Sequence, residues 1–500
     1  PFRNCLQSVW TQNSETDFTK ISLAEINDYQ LNSYVSLWLK TKVCAAEDVL
    51  IDQQSVAQQP SGTVSDQSSG VQQPSGQQPS GQGTTPHNDS NPELNFINVK
   101  DQAIGAIGDG VTDDGPAIQK ALDLASAKSG KVFIPQGNYF INQTLLVDNN
   151  TEIYGEGNNT ILMRGDKSTL VPKPLWKDGK CEYGEHFNGR VLFWNKNYNC
   201  GNENIYLHDF SIDGNRVATV PAAPTIAFSG NKNYRIENLY MKNLPQDGIF
   251  LRGGGQNVIV RNVTIDGALM KYGNGGYINI EMNDAVKFYT QKEQPVLFES
   301  NTFVIRSPKF CQGGYLKTCS SDSDCTGGKQ CGAASEVIGI SVTKSNIFGE
   351  HGNFPYVKMK ENQMSVGNLH KGISCHHCRD SEIDGNNIKA IASDLLLDRR
   401  FYGIQSTNSS NMKITNNTIV GSNAHEDKMG IAATSETGTD LNLSFNTVKN
   451  KDMGPVDLPI YVRGYKSVIV EGNKIENIKN SHAMIIGNCA DTQIGEAIVR

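Results

Sequence analysis

The sequence predicts an all-β fold, a β-helical solenoid that starts near residue 93 with a capping helix and runs to residue 500. Three observations predict it. Short strand-like runs recur from about residue 225 at intervals close to thirty residues, the mark of stacked structural repeats. Ahead of them one helical pattern passes directly into short β-like runs. Only 37% of the 500 residues are hydrophobic and 48 are glycine. That is thin for a globular core of this length, but a solenoid buries only a narrow file of side chains per strand.

In chain order, residues 1–52 come first, with aromatic and apolar residues in "INDYQLNSYVSLWLKTKVC". They suffice for a small, separate, helical segment tied by one disulfide, Cys5 with Cys44. Residues 53–92 follow, where "QQPSG" occurs three times, from Gln58, Gln72 and Gln77, in a run of Gln, Ser, Gly and Pro. Such a run buries too little surface to offset its ordering entropy, so it reads as a flexible linker.

"GDGVTDDGPAIQKAL", residues 108–122, has the aspartates and glycines of a calcium loop. Counted from Asp109, however, Val111 takes the third ligand place, Asp114 the sixth and Lys120 the twelfth, so the EF-hand pattern fails. A helix start fits better. Asp113 or Asp114 caps the free N–H groups, Pro116 suits the first turn, and Ile118, Ala121, Leu122 and Ala125 form one apolar stripe. The helix is expected over 114–128. Calcium stays open as a cofactor; no cofactor is certain and no metal site is assigned.

Next, "GKVFIPQGNYFI" gives short β-like runs broken by Pro135 and Gly137. Together with "INVKDQAIGAIGDGVTDDGPAIQKALDLA" it resembles the opening of the pectate-lyase-like family of right-handed parallel β-helix proteins. That family includes polysaccharide lyases, uronan epimerases, glycosidases and phage tailspikes. The resemblance implies that this segment closes the N-terminal end of a right-handed parallel β-helix. It does not choose among activities, because one scaffold carries many. The paired-aspartate and Gly-His-Gly signatures of the polygalacturonase-type hydrolases are not evident, nor is the Asp-Pro-His motif of the alginate epimerases.

The repeat orders the rest of the chain. Its first strands carry Ile226, Ile249, Ile278, Ile340, Ile373, Ile404, Ile431 and Ile460, at intervals of 23, 29, 62, 33, 31, 27 and 29 residues by subtraction. The interval of 62 holds a cysteine-rich insertion, 304–336, and suggests one further rung. The second strands end at Asn238, Asn262, Asn301, Asn362, Asn386, Asn417, Asn446 and Asn473, which are expected to stack as an inward asparagine ladder.

Eleven cysteines point to an oxidising compartment. Cys311, Cys319, Cys325 and Cys331 crowd a loop too small for its own core, which reads as a disulfide knot; zinc would call for a Cys-x-x-Cys pair, absent there. Cys181 pairs with Cys200 in this reading, Cys375 with Cys378, and Cys489 is left over. Net charge −7 argues against a nucleic-acid surface, and no apolar run reaches membrane-span length. The expected home is secreted, extracellular, periplasmic or cell-surface. The chain starts at Pro1 without a methionine or signal peptide, so any export signal has been removed or lies outside it, and with the pattern stopping at "GEAIVR" the odd cysteine leaves room for a partner beyond Arg500. An oligomer is compatible with the pattern.

Strand alternation then assigns a face. Three places after each isoleucine stand Ser229, Arg252, Glu281, Thr343, His376, Thr407, Thr434 and Arg463; one place after stand Ala227, Phe250, Asn279, Ser341, Ser374, Gln405, Ala432 and Tyr461. Both rows should point outward. β-Elimination on an acidic polysaccharide needs a cation for the uronate carboxylate, which suits Arg252, and a base for the α-proton, His376 or Lys344. Hydrolysis needs two carboxylates, Glu281 with Asp247 or Asp284. Phe250, Asn279, Tyr461 and Arg463 are the expected sugar contacts, with His377 at the margin. The bland alternatives are a surface ion pair for Arg252 and Glu281, and turn histidines beside a disulfide for His376 and His377. The expected partner is a polysaccharide or other glycan. The functions carried forward are cleavage by β-elimination or hydrolysis, glycan binding as an adhesin or tailspike-type virion component, and a structural surface protein without catalysis.

Overall fold

The computed structural model describes residues 49–52, 96–127, 130–167, 169–215, 223–268, 276–282, 291–305, 309–311, 318–319, 322–324, 331–332, 337–344, 356–367, 369–391, 401–421, 428–449, 458–476 and 482–499. Of the expected N-terminal segment only Val49–Asp52 is described, and it is not helical and separate but a strand paired antiparallel with His482–Gly487; its other residues, with Cys5 and Cys44, the whole 53–92 linker and Cys325 lie outside the described residues. The described chain from residue 96 onward is a right-handed parallel β-helix with three strands per rung. First-face strands pair in parallel from Leu145–Val147 through Ile226–Lys232, Ile249–Gln256 and Gly276–Met282 to His482–Gly487. In this stack Ile226, Ile249, Ile278, Ile340, Ile373, Ile404, Ile431 and Ile460 face one another rung by rung, all fully buried. Each contributes about 1.5–3 kcal/mol of burial.

The N-terminal end is closed by a helix, α1 (Gly115–Ser126), with Ile118, Ala121, Leu122 and Ala125 buried against the first rungs. The opening aspartates are structural, but their division of labour differs from simple capping. Asp114 is the N-cap residue, yet its carboxylate turns back to accept from the Ile107 and Gly108 amides at 2.7 and 3.0 Å. Burial pushes its pKa up, and those two amides oppose the shift. Asp113 Oδ1 accepts from Gly115 N at 3.1 Å and Asn142 N at 3.0 Å, tying helix to strand. Asp109 folds its own loop by accepting from Val111 N and Thr112 N.

The asparagine ladder is real but begins later than the pattern predicts. Asn301, Asn362, Asn386, Asn417, Asn446 and Asn473 are fully buried. Each Nδ2 donates to the next Oδ1 at 2.8–3.0 Å. Asn238 and Asn262 are one residue out of phase. Both hold the left-handed corner with φ of 55° and 53° and lie exposed, Asn262 donating to Asn238 Oδ1 and Asn238 to Asp209 Oδ1. Their rungs place Leu239 and Val263 inward instead. Asparagine suits both sites, by its two-sided amide inside and its tolerance of positive φ at the corner. A second outer ladder, Asn150, Asn204, Asn233 and Asn257, lines the other corner.

The 62-residue interval contains no extra rung. Ile278 pairs directly with Ile340, and the rung between them has only its own strands, Val296–Glu299 and Thr302–Ile305, plus an excursion. In that excursion Lys309–Cys311, Thr318–Cys319 and Cys331–Gly332 form a small antiparallel sheet with Cys311 opposite Cys331. Elsewhere Cys181 is bonded to Cys200 and Cys375 to Cys378, and Cys489 is free. We propose that Cys311, Cys319, Cys325 and Cys331 pair among themselves. Thiol titration of the unreduced, denatured protein should then find Cys489 as the only reactive group in residues 96–500; four further thiols from the 311–331 loop would contradict the knot.

The repeated Gly-Ile dipeptide has a packing cause. A Cβ on Gly372 would stand 2.5 Å from Ile388 Cγ2 and 2.6 Å from the Gly403 carbonyl oxygen of the next rung. Backbone on one side and a core side chain on the other leave no room. Gly372→Ala should cost about 1–3 kcal/mol by overpacking, read as a lower urea midpoint; an unchanged midpoint would show that the rung spacing yields easily.

Candidate functional site

Strand register sets the site. Arg252 pairs with Glu281, Glu281 with Thr343, His376 with Thr407, Thr407 with Thr434 and Thr434 with Arg463. Val342 opposite Cys375 carries the same register across the remaining step. The row therefore runs along one face. Arg252, Thr343, His376, Thr407, Thr434 and Arg463 are half-buried, as outward residues between flanking loops would be. Ser229 departs from the pattern: it is fully buried, and its N–H donates to Asn195 Oδ1 at 2.9 Å. Before it the row continues with Lys196 and Asp148, ion-paired at 3.2 Å.

Proximity within the row is uneven. Arg252 and Glu281 occupy adjacent rungs, about 4.8 Å apart along the backbone, whereas His376 lies three rungs from Arg252, about 14 Å. Arg252 and His376 therefore share a row without meeting at one point of it. Lys344 stands opposite Met282 at the end of its strand, two rungs from Arg252. The side chains of Glu281, Asn279 and Lys344 lie outside the described residues, and Asp284 does so altogether. Arg252 Nε is buried without a hydrogen-bond partner among the described residues. Arg463 is already engaged: with the Asn488 amide oriented to satisfy both groups, its oxygen accepts from Nη2 at 2.9 Å and Nε at 3.3 Å.

Three expected site residues fall elsewhere. Asp247 precedes its strand, five residues from Arg252 and so about 16 Å away along extended chain. It is 2% exposed, which removes it from the outward row and from a carboxylate pair with Glu281. Tyr461 is 6% exposed in an outer apolar cluster with Tyr402, Met429, Ala432 and Leu458, so its ring faces are covered. Phe250 leans on a similar cluster around Val171, Trp194 and Tyr198. Outward direction does not mean free surface here, because residues at the starts of neighbouring strands, Tyr402, Met429 and Leu458, cover part of the outer face. His377 takes the left-handed corner at φ 56°, its ring 5.5 Å from that of His376.

One polar cluster escaped the sequence reading. On the second face, His208 lies between Asp209 Oδ2, 2.7 Å from Nδ1, and Glu152 Oε1, 3.3 Å from Nε2. Tyr154 and Tyr206 stack on its two sides at 5.5 and 4.0 Å. Tyr206 donates to Glu237 Oε2 at 2.7 Å, and burial together with that bond raises its pKa. Lys131 pairs with Glu152, and Arg261 with Glu299 and Glu237. Every charge in this network has a partner, as in a stabilising lattice. Its signal was the period-two spacing of Tyr206 and His208, invisible until Glu152 is known to be the facing strand. Among the described residues no three His, Cys, Asp or Glu side chains gather as metal ligands, and no helix is long and apolar enough to cross a membrane.

Comparison with known proteins bears on fold and class. Residues 96–304 match a family described as rhamnogalacturonase A/epimerase, pectate lyase-like. A pre-neck appendage protein of Bacillus phage B103 is 31% identical over 171 residues, 33% of this chain but only 17% of that protein. Mannuronan C5-epimerase AlgE3 of Azotobacter vinelandii is 32% identical over 131 residues, 25% of this chain and 6% of the epimerase. The chain thus spans a small part of the length of these relatives. Among solved structures, the Streptococcus pneumoniae surface protein and adhesin PfbA superposes with a TM-score of 0.50 at 15% identity, covering 81% of this chain and 100% of the adhesin. That likeness speaks to fold.

Proposed function

We propose that this pectate-lyase-like right-handed parallel β-helix holds an acidic polysaccharide along the outer face of its first sheet and cleaves it by β-elimination. One observation carries the reading: the register that sets Arg252, Glu281, Thr343, His376 and Arg463 in one row. A rung is about 4.8 Å high, close to the length of one sugar unit, so successive units can meet successive rungs. Arg252 neutralises a uronate carboxylate, which acidifies the neighbouring C–H; a base, for which Lys344 two rungs along is the candidate, takes that proton, and the departing glycosidic oxygen is protonated by solvent. His376 contacts a unit further along. The burial of Asp247 weighs against two-carboxylate hydrolysis. Incubation with a panel of uronans should raise the ultraviolet absorbance of unsaturated uronate; new reducing ends without that absorbance would replace elimination by hydrolysis.

A second reading, binding without turnover, is favoured by the names of two relatives, a phage appendage protein and a surface adhesin. Saturable uronan binding with no cleavage across the panel would select it. Both readings place the protein outside the cytoplasm, on a surface or a particle.

A further inference from the structure

The outward row that carries Arg252 is closed at one end. After Arg164 the chain leaves the solenoid as the 165–189 excursion, in which Thr169–Pro172 pairs antiparallel with His186–Gly189 and Leu175–Lys177 with Lys180–Glu182, and it returns to the strand Phe193–Asn195. Val171 of the excursion packs on the outer side of the first sheet with Val191, Trp194, Tyr198 and Ala227. Directly after Phe193–Asn195 comes a turn, 196–201, and Cys181 of the excursion is bonded to Cys200 of that turn. Tyr198 stacks on Trp194 with ring centroids 3.7 Å apart, and Asn199 Oδ1 accepts from Ser229 Oγ at 3.4 Å. Tyr198, Asn199, Cys200 and Ser229 are all buried. Ser229 pairs in register with Arg252, so Arg252 is the first residue of the row clear of this layer. Its Nε is buried without a hydrogen-bond partner among the described residues, whereas Lys196, where the turn begins, is already paired with Asp148. In the other direction the described members of the row, Thr343, His376, Thr407 and Thr434, are half-buried.

Resting on the uronan site proposed above, we infer that this wall makes the site terminal: it takes the reducing-end unit of an acidic polysaccharide and removes it as an unsaturated monosaccharide. In β-elimination the unit held by Arg252 loses the proton beside its carboxylate to the base, and that electron pair becomes a C=C bond. The bond from the β-carbon to the glycosidic oxygen breaks; the oxygen stays on the departing neighbour and gains a proton from solvent. The unit at Arg252 therefore lies on the reducing side of the broken bond, and its neighbour on the non-reducing side. At about 4.8 Å per rung, that neighbour fits toward Thr343 and His376, because the buried Ser229 and the turn above it fill the next place the other way. No place is left for a unit beyond the one at Arg252.

The test uses uronan oligosaccharides of one length: unmodified, joined to a bulky aglycone as a closed-ring glycoside at the reducing end, or carrying a bulky label at the non-reducing end. Calorimetric titration reads affinity and chromatography reads products. Native protein should bind the unmodified and non-reducing-end-labelled chains alike and release unsaturated monosaccharide first. It should bind the reducing-end glycoside about tenfold or more weakly, as a steric clash requires. Tyr198→Ala combined with Asn199→Gly cuts the wall and keeps the turn, since residue 199 has φ 64°, which glycine adopts freely. This variant should recover most of the lost affinity for the reducing-end glycoside. Equal affinity of native protein for all the chains, or first products of intermediate length, would overturn the closed end while leaving uronan recognition intact. No affinity for any of them would instead remove the uronan site, and this inference with it. A variant that discriminates as native protein does would also overturn it, by placing the barrier elsewhere. Should the variant not fold, the native comparison decides; in the absence of turnover, the affinities alone do so.

Discussion

Asn417→Leu should lower the unfolding free energy by about 4 kcal/mol or more, among the largest effects of any single change in the chain. The Asn417 side chain accepts from Asn386 N and Nδ2 at 3.0 and 2.9 Å, and donates to the Ile383 carbonyl and Asn446 Oδ1, each at 2.9 Å. Leucine keeps the volume and removes all four bonds: Asn386 N is left buried without its acceptor, while Asn386 Nδ2 keeps the Met359 and Asp384 carbonyls and Asn446 Oδ1 keeps the backbone N–H of residue 417; each lost buried bond costs about 1 kcal/mol and the stranded N–H about 1–3 kcal/mol. Exposed Asn238→Leu removes two surface bonds, one to Asp209 Oδ1 and one from Asn262 Nδ2, whose groups water can satisfy, and one favourable left-handed residue, so about 1 kcal/mol is expected. Urea unfolding of the two variants measures the contrast. Equal losses would mean that the inner ladder is no more than a filler.

Arg252→Ala should reduce turnover of a uronan by about 100-fold or more, as loss of one preorganised charge at a developing anion does. The melt should hold or rise slightly, because the deleted Nε has no hydrogen bond among the described residues. Arg463→Ala should cost less activity and more stability, since its guanidinium is held by the Asn488 amide. If the protein binds without cleaving, the same ordering applies to dissociation constants. Full activity of Arg252→Ala would remove the cation from the mechanism.

How much of this was legible in the sequence follows from the kind of signal. Spacing of isoleucines carried rung register, since every key isoleucine must be buried for the solenoid to close, and an outward row follows from alternation once that is fixed. The stripe of α1 was legible for the same reason. What spacing does not carry is which corner residue turns inward, so Asn238 and Asn262 read like Asn301 although their backbone is left-handed. Nor does it carry what roofs a face. Tyr461 points outward from its strand and is still covered by Tyr402, Met429 and Leu458. Distance along the axis was also hidden in linear sequence: Arg252 and His376 share a row, but three rungs separate them. The root of the 165–189 excursion and the His208 network join residues far apart in the chain, through strand pairings that no local pattern announces.

The central claim is that the outer face of the first sheet, centred on Arg252, engages an acidic polysaccharide. It is tested most directly by titrating uronan oligosaccharides of increasing length, beside neutral glycans of equal length, into native protein and Arg252→Ala. Affinity for the uronans should rise with length in native protein, fall at least tenfold in the variant, and be absent for the neutral series. Equal binding of neutral and acidic chains, or unchanged uronan affinity in Arg252→Ala, would contradict it.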